Sequence, residues 1–219
     1  MVDLIMAKQQ PLTLCGEILY APIHVCAFFD SRDEQYSVML PYINEGLNRK
    51  EKVINILERA SHHDHCERLT DFGIQVEEKS VSKQLNVLAS EDTYLKGGSF
   101  ETERMLQLLE DALVESHNEG FESVRACGEM VWALKNVPGT DELIEYEARL
   151  NFLTPQHSCS LVCMYDINLF SGRVLRDILS THSHVIMNSS IYKNPYYIEP
   201  LEFLPILQRR KQRSLVPGD

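Results

Sequence analysis

Short uninterrupted apolar runs, separated by stretches of helical period, constrain this chain more than any other feature. Pro22-Ile-His-Val-Cys-Ala-Phe-Phe29 is the first, and a continuous run of that length suits a strand covered on both faces of a sheet. Asp30 to Asp33 supplies a turn, with Ser31 or Asp33 placed to cap a helix reaching about Asn48, and Tyr36, Met39, Leu40, Ile43 and Leu47 fall on one stripe of it. Lys52 to Leu57 is the next strand. A polar helix near His62 to Phe72 ends at Gly73, and Leu85 to Ala89 returns as a strand. Beyond Gly97-Gly98, a helix from about Phe100 to Asn118 places Met105, Leu108, Leu109, Ala112 and Leu113 inward and stops at Gly120. Ser123 to Cys127 is a fourth strand and Ser158 to Tyr165 a fifth, with a helix over Asp141 to Asn151 between them. Gly172 to Leu179 is a further helix before a last strand near His184 to Met187. This alternation predicts an α/β fold: a mainly parallel central sheet, helices on both faces and right-handed crossovers, with no linker dividing it. The expected organisation is a polar leader over residues 1–20, one domain over 21–205 and a polar tail over 206–219.

The formal net charge of −11 over 219 residues argues against nucleic acid as a partner, since binding to a phosphate backbone is built on clustered Lys and Arg. The one basic cluster, Gln208 to Arg213, reads as solvated tail. Cys15, Cys26, Cys66, Cys127, Cys159 and Cys163 lack the dense spacing of a disulfide framework, so reduced thiols in a cytoplasmic protein are expected. No stretch reads as a signal peptide, and none approaches the length of a membrane span.

The segment Phe28 to Leu57 resembles the opening of a KaiC/RecA-type ATPase: strand, loop, a helix ending in Asn44-Glu45-Gly46-Leu47, then a second strand. The phosphate loop itself is replaced by Phe29-Asp-Ser-Arg-Asp-Glu-Gln-Tyr36, which has no glycine and no lysine and carries three acids. That chemistry disfavours nucleotide hydrolysis. Five further motifs, His24-Val-Cys-Ala-Phe-Phe, Gly128-Glu-Met-Val-Trp-Ala133, Glu145-Tyr-Glu-Ala-Arg-Leu-Asn151, Cys163-Met-Tyr-Asp166 and Asn194-Pro-Tyr-Tyr197, together resemble the MEDS sensory-domain family, named for methanogens, methylotrophs and the DcmR sensory domain. The resemblance covers about residues 20 to 205. It implies a RecA/KaiC-like fold with the P-loop lost, and a sensor of small molecules of a kind often joined in bacteria to a DNA-binding or histidine-kinase module. No such module is legible here, which leaves a stand-alone sensor acting on a signalling partner protein, a piece of a longer receptor with a fused output domain, or a domain recruited to another role.

Ligands of open α/β sheets settle at the strand carboxyl ends. Asp30, Glu129 and Asp166 follow three of the strands, and Trp132 lies one helical turn beyond Glu129, though packing is the commoner role of a tryptophan. Glu129, Trp132, Tyr165 and Asp166 are expected to share one concave region, braced by Glu145 or Glu147 and by Arg149; the i,i+4 pairs Glu145 with Arg149 and Glu147 with Asn151 face different ways. His24 lies within an apolar strand, as a satisfied core histidine or as part of the site through its place in the family motif. His62-His-Asp-His-Cys66 has the look of a metal tract, but only His62 and Cys66 stand at i,i+4, so a solvated helix start is expected; Cys159 and Cys163, four apart on a strand, read as core. The expected function is therefore binding of a small organic ligand, with no catalytic residue, metal or cofactor. The alternatives are a non-hydrolysing nucleotide-binding relic and a small enzyme in which carboxylates such as Asp30 and Glu129 do acid-base work. RecA-like relatives assemble, so a homo-oligomer is expected by analogy.

Overall fold

A computed structural model describes residues 10–215. Strand β1 (Gln10–Leu14) and β2 (Glu17–Ala21) form an antiparallel hairpin. The rest alternates: β3 (Ile23–Phe29), α1 (Arg32–Asn48), β4 (Lys52–Leu57), α2 (His62–Asp71), α3 (Val76–Val81), β5 (Leu85–Ala89), α4 (Thr102–Asn118), β6 (Val124–Glu129), α5 (Leu143–Leu153), β7 (Cys159–Asp166), α6 (Gly172–Leu179), β8 (His184–Met187), β9 (Ser190–Lys193) and α7 (Pro200–Leu215). The main sheet has the order β5-β4-β6-β7-β3-β8-β9, parallel throughout except for the terminal β8–β9 pair. All five strands expected around Val25, Ile54, Val87, Ala126 and Val162 belong to it.

Two apolar layers cover the sheet, as the continuous hydrophobic runs of β3, β4 and β7 require. On one face Cys26, Phe28, Cys159, Leu161, Cys163 and Tyr165 meet α4, α5 and α6; on the other Val25, Ala27, Phe29, Val162 and Met164 meet α1, α2 and the hairpin. The strand period of two thus assigns each side chain to its layer. Helix α7 packs Phe203 and Leu207 against Ala148 of α5. No helix of the described residues is long and apolar enough to cross a membrane.

Residues 10–20, read from sequence as polar leader, belong to the hairpin and bury Leu12 and Leu14 beside Ala21. Alternation along so short a strand is weak as a sequence signal, and what fixes it here is a side chain far along the chain: Glu45 accepts from Thr13 N and Oγ1, both at 2.9 Å. Glu45 also lies 2.8 Å from a guanidinium nitrogen of Arg125, which is fully buried in β6. Arg125 further donates from Nε to Glu51 at 2.5 Å and from Nη1 to the Tyr42 carbonyl at 2.7 Å. Gly46 makes room for it, since a Cβ there would lie 2.7 Å from the guanidinium stem. Likewise α7 runs through what the sequence gives as tail.

A second polar network lies under α1 and α2. His65 is buried, with Nδ1 3.0 Å from the Tyr36 hydroxyl and Nε2 3.1 Å from Asn55 Nδ2, so the helix start expected to be solvated sends one of its histidines inward. Burial first, then the positive charge of Arg32 and the neighbouring His62, push the imidazole down to about 4, against a smaller opposing pull from Asp64.

Arg125→Ala is expected to cost about 3 kcal/mol or more, because it leaves Glu51 and Glu45 as uncompensated, partly buried charges; urea unfolding measures it, and a loss below about 1 kcal/mol would contradict the network's role. His65 gives a pH signature. Its folded value lies below that of the unfolded chain, near 6.5, so its contribution is complete above that pH and is lost as pH falls toward about 4. The slope of stability between pH 6.5 and 4 should therefore be shallower in His65→Gln than in the parent chain.

Candidate functional site

The strand carboxyl ends open on one crevice. A cavity of about 210 Å³ is lined there by Arg32, Gln35, Glu58, Glu129, Tyr165 and Asp166, with Val131, Met164 and Leu169 as apolar wall. Three of the expected residues, Glu129, Tyr165 and Asp166, are thus brought together. A larger groove of about 1060 Å³ between α2 and α3 lies away from the strand ends and holds none of them.

The turn after β3 shapes the crevice. Ser31 caps α1 by accepting from the Glu34 amide at 3.2 Å, while Glu34 reaches back to the Asp30 amide at 2.9 Å and across to the Ser189 amide at 2.9 Å. This reciprocal capping satisfies amides that a phosphate loop would leave pointing at a ligand. It also places Arg32 on the first turn with its side chain over the strand ends. There Arg32 donates to Glu129, Gln35 Nε2 donates to the same carboxylate oxygen at 2.9 Å, and Asp64 lies 3.9 Å from the guanidinium. Burial is the largest influence on Arg32 and opposes its charge, but Glu129, Tyr36 and Asp64 together outweigh it and raise the guanidinium above its ordinary value. An enclosed Glu129 is expected from sequence to pair with Arg149, a backbone N–H group or a ligand donor; its protein partners are instead Arg32 and Gln35, three positions apart on α1, which sequence reading passed over. The start of a helix that follows a parallel strand stands at the carboxyl edge of the sheet, and that was the signal available.

The remaining expected residues are dispersed. Asp30 is exposed, and its carbonyl accepts from Asn168 Nδ2 at 2.7 Å. Asp166 accepts from the Asn168 amide at 2.8 Å, closing the end of β7. Trp132 is fully buried between Tyr94 and Phe100, with ring centroids 4.7 and 4.3 Å away, and does not reach the crevice. Packing took it because a short 3-10 turn, Met130–Leu134, follows β6 and folds its indole back under the sheet. Arg149 does not pair with Glu145: it forms a bidentate pair with Glu103 at 2.6 and 2.9 Å, and Glu145 meets Lys211 at 3.1 Å, both toward solvent. Asn151 binds the backbone carbonyl of Glu147 rather than its side chain.

His24 and Glu147 belong to a different place, beneath α5. Glu147 is fully buried with His24, Cys163 and His182 around its carboxylate, and these four are the residues able to hold a metal among the described residues. Burial alone would raise the Glu147 carboxyl, but His182 and His24 hold it well below its usual range. Burial, with His182 nearby, pushes His24 down to about 4. Tyr165 joins the two places: its hydroxyl donates to Glu147 while its residue lines the crevice. His182 was missed in the sequence because it lies in the loop after α6, distant from every other member.

Comparison with known proteins fits this architecture. Residues 23–183 match the family model of the MEDS, methanogen/methylotroph, DcmR sensory domain. Over 80 residues the chain is 32% identical to the transcriptional repressor DcmR of Methylorubrum extorquens (strain DSM 6343 / CIP 106787 / DM4), a stretch covering 36% of this chain and 30% of the repressor. The fold is similar to the crystal structure of a KaiC-like protein from the hyperthermophilic archaeon Pyrococcus horikoshii OT3, with a TM-score of 0.53 at 11% identity over 74% of this chain and 70% of that one. The chain belongs to the MEDS sensory-domain family.

Proposed function

We propose that this chain is a non-catalytic sensory module: its strand-end crevice takes a small organic molecule and passes the occupancy to a partner protein or to an output domain in a longer parent. One observation carries the reading. Where a nucleotide-binding fold would present a phosphate loop, the first turn of α1 sends Arg32 onto the chain's own Glu129. A triphosphate entering the crevice would meet Glu58, Glu129 and Asp166 against one guanidinium already engaged. A cavity near 210 Å³ is below the size of typical drug-sized sites, which suits a small compound. Val131, Met164 and Leu169 offer it apolar contact, and Gln35, Glu129 and Tyr165 a few directional polar groups. Ser61 also lines the crevice, and among the described residues no hydrogen bond to a carboxylate or imidazole activates its hydroxyl, which favours binding over acid-base catalysis. Family membership and the resemblance to a transcriptional repressor support a regulatory role.

Signalling follows from competition for one carboxylate. A ligand donor that engages Glu129 weakens its bond to Arg32, and Arg32 sits on the turn whose cap is tied through Glu34 to Ser189 in the loop between β8 and β9. Occupancy then biases two arrangements of that surface edge, by as much as the ligand's affinities for them differ.

Two results are expected. Isothermal calorimetry with ATP and magnesium should detect no micromolar binding; such binding would overturn the assignment in favour of a nucleotide-binding relic. Native mass spectrometry of the chain purified from cells should detect a small adduct, and Glu129→Gln should reduce its retention about tenfold or more while changing stability by about 1 kcal/mol. Retention unchanged in a folded Glu129→Gln protein would remove the crevice as the site.

A further inference from the structure

Four side chains from four separate elements converge under α5: His24 of β3, Glu147 of α5, Cys163 of β7 and His182 of the loop before β8, all buried. Glu147 Oε2 is 3.2 Å from His24 Nε2, 3.3 Å from His182 Nε2 and 3.3 Å from Cys163 Sγ, and Cys163 Sγ is 3.4 Å from His24 Nε2. One ligand atom from each lies within 4.8 Å of all the others.

The outer hydrogen bonds fix what these atoms present. Asn151 Nδ2 faces three backbone carbonyls, of Glu147, Ala148 and Thr181, so its Oδ1 is the atom 3.3 Å from His24 Nδ1. An amide oxygen only accepts, hence His24 carries its proton on Nδ1. His182 Nδ1 is 2.9 Å from the Ile178 carbonyl, which places its proton on Nδ1 as well. With Nδ1 engaged in each ring, both imidazoles turn Nε2 toward one carboxylate oxygen. His182 Nε2 has no hydrogen-bond partner: its separation from Glu147 is of ion-pair length but its alignment is poor. Glu147 thus accepts from the Tyr165 hydroxyl on one oxygen and meets Cys163 Sγ and two imidazole Nε2 atoms on the other, so three metal-ligating atoms converge on one buried anion.

We infer that His24, Glu147, Cys163 and His182 form a closed, four-coordinate site for a zinc-class divalent transition-metal ion. Bond lengths of about 2.0–2.3 Å to N, O and S ligands in a tetrahedron place the ligand atoms about 3.3–3.6 Å apart, close to the four separations of 3.2–3.4 Å, and the remaining pairs lie within 4.8 Å. A thiolate with two imidazoles and a carboxylate is a zinc-type donor set. On loading, the Cys163 thiol gives its proton to solvent, and the thiolate and carboxylate together neutralise the 2+ charge. Each imidazole donates its other N–H to an oxygen, the usual outer arrangement of metal-bound histidine. The His62–Cys66 tract does not compete, since His65 is engaged by Tyr36 and Asn55. With four protein ligands no position is left for substrate, so the ion is structural, and through the Tyr165 hydroxyl on Glu147 it holds a residue that lines the crevice.

The test reads metal alone and is independent of any organic ligand. The untagged full chain, refolded with zinc and freed of loose ion by gel filtration, is assayed by elemental mass spectrometry, and a cobalt-loaded sample by absorption. About one ion per chain is expected, with a thiolate-to-cobalt charge-transfer band and intense tetrahedral bands. Cys163→Ser should abolish the charge-transfer band and weaken binding about tenfold or more, and Asn151→Ala should weaken it about 10–100-fold. Cys66→Ser should change neither the band nor the affinity. Should Cys163→Ser fail to fold, X-ray absorption of the zinc-loaded parent decides, with one sulfur and three N/O neighbours expected. A folded chain retaining no metal, metal held equally by Cys163→Ser, or a shell without sulfur would overturn the site.

Discussion

A parallel sheet covered on both faces gives water no access to its middle, and every polar group the chain places there must find its partner inside the protein. Most of the specific interactions follow from that constraint. Arg125 on β6 is matched by Glu51, Glu45 and the Tyr42 carbonyl, and in satisfying it α1 is tied to the sheet and, through Glu45, to the hairpin. Asn55 on β4 is matched by His65, and His65 by Tyr36, which joins α2 to α1 over the same face. Apolar burial supplies the bulk of the driving force, but it is indifferent to small changes in helix position, whereas an unpaired buried charge is not.

At the strand ends the constraint relaxes, and charge can collect where solvent screens it. A nucleotide-binding site would need different chemistry at this place. A phosphate loop needs free amides and an unpaired cation; here Ser31 takes the Glu34 amide, Glu34 takes the Asp30 amide and Glu129 pairs with the Arg32 cation. What stands here is a small crevice whose guanidinium is paired within the chain.

Strand β7 connects the crevice to the interior. Because alternate residues share a face, Cys163 and Tyr165 point to the same layer, and Tyr165 at the strand end touches both the crevice and the Glu147 carboxylate. In the same layer Gly128 lets the Tyr94 hydroxyl approach β6, where a Cβ would lie 2.4 Å from it, and the stacked Tyr94, Trp132 and Phe100 stiffen the wall beside α5.

The sequence by itself determined the α/β class, the five parallel strands, the loss of the phosphate loop and the family, because these rest on local period and on residues adjacent in the chain. It also brought forward Glu129, Tyr165 and Asp166, since a residue just after a strand of a parallel sheet must stand at the ligand-binding edge. Only the tertiary structure decided which charges meet. Arg149 and Glu145 stand at ideal i,i+4 spacing yet turn to Glu103 and Lys211, because exposed pairs are weak and the nearest opposite charge wins. Arg32 finds Glu129 across 97 positions, and Glu147 finds His24, Cys163 and His182 from three other elements. Local pattern carries no record of such meetings, because the strand order that brings those side chains together is set by packing of the whole sheet.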